Sequence, residues 1–148
     1  MTLIDGLDTL AILGDRVRFQ KGVALILDTI DFDALTTQVS LFEVTIRVLG
    51  GLLSSHLYAS DPSSPVSLVK DGYDGGLLRL ATQLADKLLP AFDTETGIPF
   101  NIIHFKDGPQ KNETDTCTAA AGSLLLEFGT LSRLTDNPVY EVSSCFSM

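Results

Sequence analysis

The sequence predicts an all-α fold. Apolar residues recur at spacings of three and four over most of the chain, the period of a helix with one buried face. Gly, Pro and Asp punctuate these runs at short intervals, as helix stops and starts do. Only residues 96–108 break the pattern: the turn pairs Thr96-Gly97 and Asp107-Gly108 flank an apolar run, which predicts a short β-hairpin-like excursion.

Leu3, Leu7, Leu10, Ile12 and Leu13 predict a first helix ending near Gly14, with glycine as terminator. Asp15 is placed to cap a second helix, in which Val17, Phe19, Val23, Ile26, Leu27 and Ile30 form one face to about Asp31. Asp33 to Gln38 reads as a connector. Val39 to about His56 forms the third and most apolar helix. Pro62, Pro65 and Gly72 mark Ala59 to Gly72 as a surface loop. A fourth helix carries Leu77, Leu80, Ala81, Leu84, Ala85, Leu88 and Leu89 and is stopped by Pro90. After the excursion, Thr116 to Thr135 forms a fifth helix that Asn137-Pro138 ends. Paired inner and outer helices of an α/α toroid fit this pattern, and so does a compact helical bundle.

Composition narrows the function classes. The chain has 148 residues, 45% hydrophobic and 20% charged, enough for one packed domain and too apolar for wholesale disorder. Nineteen acidic residues against ten basic ones give a net charge of −9. With so few and scattered cations, neither nucleic acid nor an anionic membrane surface is an expected partner. No run approaches the ~18 apolar residues of a membrane span. The nearest, Ala119 to Leu131, is interrupted by Ser123, Glu127 and Thr130. Residues 1–8 lack the basic and apolar regions of a signal peptide. Cys117 and Cys145 form no C-x-x-C and read as two independent thiols.

Few residues carry candidate chemistry. The third helix is apolar around most of its circumference, yet Glu43 and Arg47 sit four apart on one stripe with Gly50, Gly51 and Ser54. A carboxylate on a buried helix is expensive unless paired. Two readings stay open: an ion pair on a solvated seam, or a helix lining a cavity with Glu43 as acid or base and Arg47 as an anchor. Glu127 stands alone among leucines and Phe128, with Ser123 and Thr130 on its side, and carries the same two readings. Carboxyl groups on separate helices suit glycoside hydrolysis, in which one acid protonates the leaving oxygen and another group activates water. Asp5 and Asp8 share one face of the first helix and read first as helix N-terminal acids. His56 and His104 have no metal-ligand spacing, so no metal site is expected from these residues. There is no G-x-S-x-G, P-loop or dinucleotide fingerprint. Asn112-Glu113-Thr114 is an N-glycosylation sequon in a polar loop.

Five segments, in order, carry a resemblance. They are Thr2-Leu-Ile-Asp-Gly-Leu-Asp-Thr-Leu10, Phe42-Glu-Val-Thr-Ile-Arg-Val-Leu-Gly-Gly-Leu-Leu53, Leu88-Leu-Pro-Ala-Phe92, Thr96-Gly-Ile-Pro-Phe100 and Leu126-Glu-Phe-Gly-Thr-Leu-Ser-Arg-Leu-Thr135. Together they resemble the class I α-1,2-mannosidases, glycoside hydrolase family 47. Thr114-Asp-Thr-Cys-Thr-Ala119 is similar to the branch of ER degradation-enhancing α-mannosidase-like proteins. The resemblance implies a barrel of seven helix pairs, of which this chain would supply a part. It implies inverting, calcium-dependent removal of α-1,2-linked mannose from N-glycans of misfolded glycoproteins in the endoplasmic reticulum lumen. By the same resemblance Glu43 is the acid that protonates the glycosidic oxygen, and Arg47 and Glu127 contact sugar. Asp5 and Asp8 fall on acidic positions of the opening motif.

The resemblance covers residues 2–141, with 142–148 expected to be an unrelated tail. The general base and the threonine that holds calcium in the family fall outside these residues. Inversion needs both an acid and a base, so the chain alone is expected to be inactive. A non-catalytic helical adaptor that binds glycan or client is the competing expectation.

Overall fold

The computed structural model describes residues 1–112 and 115–145. Nearly every element is helical, with one small sheet. Helices α1 (Thr2–Asp5) and α2 (Leu7–Ile12) replace the single first helix expected from the apolar pattern, because the chain bends at Gly6. Gly14, at φ +69°, then reverses the chain, and the Asp15 carboxylate accepts the Arg18 N–H to start α3 (Arg16–Thr29). Buried Phe19, Val23 and Ile26 form its inner face.

The expected third helix is built in three parts. Strand β1 (Gln38–Ser40) leads into α4 (Leu41–Val44), a π-helical turn follows over Thr45–Leu49, and α5 (Gly50–Ser60) completes the rod. Helix α5 buries residues around most of its circumference, including Leu52, Leu53, Ser55 and His56, and packs against α2, α6 and α8. Helix α6 (Gly76–Leu88) buries Leu77, Leu80, Ala81, Leu84 and Leu88, the spacing of a one-sided amphipathic helix. Pro90 turns its end into a tighter helical turn, Leu89–Phe92.

The expected excursion is present. Strand β2 (Ile102–His104) pairs antiparallel with β3 (Gly108–Pro109) across a short turn. The other edge of β2 takes β1, with Val39 opposite Ile103. Backbone N–H groups of Lys106 and Asp107 donate to His104 Nδ1, so that histidine closes the turn.

The expected fifth helix divides into α7 (Thr118–Gly122) and α8 (Leu125–Thr135). Asn137-Pro138 does stop α8, but it also starts a further helix, α9 (Pro138–Cys145). The Asn137 side chain accepts the Val139 N–H, and proline occupies the first helical position, where its missing N–H does no harm. Helix α9 lies along α8 and runs across residue 141, where the sequence resemblance was expected to end. Cys117 and Cys145 are exposed and unbridged. Among the described residues no helix is long and apolar enough to cross a membrane.

Candidate active site

The site is built where α1, α5 and α8 approach one another. Ser40 ends β1, and its hydroxyl accepts the Glu43 N–H at 3.4 Å, the first half of a Ser-x-x-Glu capping box. The Glu43 carboxylate turns instead to Arg47 and accepts its Nε–H at 2.6 Å. Arg47 Nη1 then reaches Asp5 on α1 at 3.4 Å. The result is a chain of three charges, Glu43–Arg47–Asp5, spanning two helices 42 residues apart in sequence. Their side chains are 47%, 44% and 43% exposed, so water screens them and their pairing adds little to the stability of the fold. The hydrogen bond it donates to Glu43, then that to Asp5, holds the Arg47 guanidinium still more firmly protonated.

The π-helical turn carries this arrangement. Gly50 donates its N–H to Thr45 five residues back, so the turn holds one residue more than an α-helical turn. An extra residue rotates everything before it by about 100° relative to a straight α-helix. That is why Glu43 and Arg47 leave the stripe on which a constant helical period placed them with Gly50, Gly51 and Ser54. Turns of this kind concentrate at functional sites.

Beside the charge chain lies a cavity of about 280 Å3, near the low end for small-molecule sites. Asp5, Asp8 and Glu127 line it from α1, α2 and α8, with Ser54 and Thr130 between them. Glu43 and Arg47 are not part of its wall; Asp5 belongs to both groups and joins them. Apolar Ile46, Leu53 and Leu126 complete the wall. Ser123, expected on the Glu127 side of its helix, lines a different hollow with Ile98 and Cys117.

The two glycines do more than open space. A Cβ on Gly51 would stand 2.8 Å from the Ile4 carbonyl oxygen, so glycine lets α1 lie directly on α5. A Cβ on Gly50 would stand 3.5 Å from Glu127 Cγ, so the Glu127 side chain rests on the bare helix backbone there. Glu127 Oε2 is buried with no hydrogen-bond partner among the described residues, and burial pushes this carboxyl above the usual carboxylate range.

The remaining candidates serve structure. His56 is buried, and its Nδ1 lies 2.9 Å from the Tyr73 hydroxyl. Asn112 is exposed in the turn after β3. Among the described residues no group of three or more His, Cys, Asp or Glu is set to hold a metal ion.

Comparison with known proteins gives the family and the fold. The sequence profile of glycosyl hydrolase family 47 matches residues 1–146. Alpha-mannosidase I MNS4 of Arabidopsis thaliana is 54% identical over 142 residues, which are 95% of this chain and 22% of that protein. The ER degradation-enhancing alpha-mannosidase-like protein 1 of Schizosaccharomyces pombe is 49% identical over 97% of this chain and 18% of its own length. Protein 2 of the same name in Homo sapiens is 46% identical over 95% of this chain. The chain thus spans roughly a fifth to a quarter of the curated relatives it matches. The solved structure of an alpha-1,2-mannosidase from Trichoderma reesei superposes with a TM-score of 0.81 at 33% identity, covering 98% of this chain and 30% of that one. The helices described above superpose on part of the α/α barrel of that neighbour.

Proposed function

The chain belongs to glycosyl hydrolase family 47, and we propose that it supplies the acid-bearing part of an α-1,2-mannosidase-like protein acting in ER-associated degradation. Its substrate is the mannose-rich N-glycan of misfolded glycoproteins, and its location is the endoplasmic reticulum lumen. The observation that carries this reading is the Glu43–Arg47–Asp5 chain joined through Asp5 to a cavity into which Asp8 and Glu127 also project.

Each residue has a role that its surroundings support. A mannosyl ring offers hydroxyls all round and needs dense polar contacts in a mostly apolar hollow. Glu127 accepts or donates to a ring hydroxyl with the oxygen that has no partner within the fold. Arg47 presents further donors, held in place by carboxylates on either side. Glu43, once displaced from Arg47 by substrate, takes up a proton from water and passes it to the glycosidic oxygen, directly or through water. Inversion needs a second carboxylate ~6.5–9.5 Å away to activate water, and that base is not assigned to any residue of this chain. The 148 residues by themselves are therefore proposed to bind glycan without hydrolysing it, and calcium to require ligands beyond them.

The test is a titration of the purified chain with α-1,2-mannobiose, followed by NMR, together with an assay for mannose released from a high-mannose glycan. Shifts confined to residues around Glu43, Arg47 and Glu127, without release, are expected. Release of mannose overturns the inactivity. In a protein containing the whole family domain, Glu43→Gln is expected to abolish trimming while glycan binding survives. If neither changes, both site assignments fall.

A further inference from the structure

We propose that His104 is a proton-operated latch on the turn between β2 and β3, with two exclusive sets of hydrogen bonds. Three groups converge on one ring nitrogen. The backbone N–H groups of Lys106 and Asp107 approach His104 Nδ1 at 3.3 and 3.2 Å. The Asp107 carboxylate lies against the same atom, with Oδ2 at 3.1 Å. No protonation state serves all three. An imidazole nitrogen without a hydrogen accepts and cannot donate; with a hydrogen it donates and cannot accept.

The neutral ring, with its hydrogen on Nε2, accepts both backbone N–H groups and holds the turn closed. Asp107 Oδ2 then faces a lone pair, acceptor against acceptor, while water solvates a side chain that is 70% exposed. When the ring gains a second hydrogen, Nδ1–H meets a carboxylate already within ion-pair distance. One charge-assisted bond replaces two neutral ones. The freed N–H groups turn to water, because Lys106 and Asp107 are exposed. Opposite His104 stand Gln38 on β1 and Gly108 on β3, neither of which titrates. Of the charged residues in the turn, Lys106 is exposed and Asp107 is the ion-pair partner of His104.

Its position gives the latch reach. Strand β2 is the middle strand of the sheet. Phe105, next to His104, donates its N–H to the Thr37 carbonyl at 3.1 Å, and Leu41 donates to the Asn101 carbonyl at 2.8 Å. Between these two bonds β1 runs to Ser40, which caps the helix bearing Glu43. Opening the turn frees Lys106, the neighbour of Phe105, and loosens the outer end of this pairing. The latch goes beyond the mannosidase reading and needs no sugar to operate.

The experiment follows the backbone and histidine-ring nitrogens of the full chain by NMR as pH is lowered from about 8 to about 5, the span in which imidazoles titrate. At the upper pH, Nδ1 of His104 is expected to carry no hydrogen, and the Lys106 and Asp107 amides are protected from exchange. As the ring takes up its proton, their protection factors fall about tenfold, the equivalent of one lost hydrogen bond. The Phe105 amide follows by a smaller factor. The amide of Leu77, bonded to Tyr73, reports on His56, the other histidine, and follows a separate course. His104→Ala leaves the Lys106 and Asp107 amides unprotected at either pH. Asp107→Asn retains their protection at the upper pH, because the carboxylate takes no part in those bonds. A hydrogen on Nδ1 at the upper pH overturns the latch. So does a ring that stays neutral throughout, or protection of both amides that persists once the ring is charged. None of these results bears on mannobiose binding, so failure here and failure of the mannosidase reading are told apart.

Discussion

Glu127 shows that the site is built at the expense of stability. Its carboxyl is raised by burial, so the unfolded chain releases this proton at lower pH than the folded one. Stability from this group is present below the unfolded value near 4.5 and is lost as pH rises through the folded value. Glu127→Gln, close in shape and without the charge, is expected to raise the denaturant midpoint at pH 7, with the difference closing at about pH 4. Equal midpoints at pH 7 would mean the carboxyl is solvated and has no strained role. Arg47 behaves in the opposite way. Its partners are half-exposed, so Arg47→Met is expected to leave the denaturant midpoint nearly unchanged while weakening mannobiose binding about tenfold or more, as measured by titration. At this scale the sequence was informative because isolated charges on apolar helices are conspicuous. Asp5 is the exception: its spacing to Asp8 suggested a helix-end acid, and only the approach of α1 to Arg47 shows it as the joint between charge chain and cavity.

Between elements, two adjacent glycines separate packing from helix propensity. Gly51→Ala drives a Cβ into the Ile4 backbone and is expected to cost about 1–3 kcal/mol and to move Asp5 away from Arg47. Gly50→Ala meets only ordinary contacts, and the gain in helix propensity makes it neutral or stabilising by about 0.5–1 kcal/mol. Thermal or denaturant unfolding of the two variants checks the contrast, and equal effects would remove Gly51 as the point of close approach. The buried His56 ties α5 to the segment before α6. Tyr73 accepts the Leu77 N–H and so turns its own hydrogen toward His56 Nδ1, which fits a neutral ring. Burial lowers the pKa of this histidine, so its contribution is fully present above the unfolded value near 6.5 and is lost as pH falls below it. His56→Gln is expected to flatten the fall in stability between about pH 6.5 and 5; an unchanged slope would place the acid sensitivity elsewhere. Helix positions were readable from the 3.6-residue period, because burial of one face imposes it. The π-helical turn was not, since Thr-Ile-Arg-Val-Leu is compatible with an ordinary α-helix and the extra residue is accommodated by tertiary packing.

For the molecule as a whole, α9 decides whether the site stands on a rigid support. The sequence contained its signal: Asn followed by Pro is a helix start as much as a helix stop, so a further helix from Pro138 was legible there. In the structure Tyr140 is 2% exposed, and its hydroxyl donates to Asp86 of α6 at 2.7 Å. Ser144 is buried too, and Ser132 of α8 donates to the Asn137 carbonyl. Helix α8, which carries Glu127, is thus packed against α9 as well as α5 and α6. Tyr140→Phe removes one hydrogen bond to an exposed carboxylate that water can replace, and is expected to cost about 1 kcal/mol. Tyr140→Ala empties a site in the core and is expected to cost about 3–5 kcal/mol. The two variants also differ in where the loss falls. If α9 braces α8, hydrogen exchange in Tyr140→Ala accelerates along Leu125–Thr135 more than along α3, and Tyr140→Phe leaves the order of protection intact. Unchanged protection of α8 in Tyr140→Ala would make α9 an appendage and would leave Glu127 held by α5 and its own helix alone.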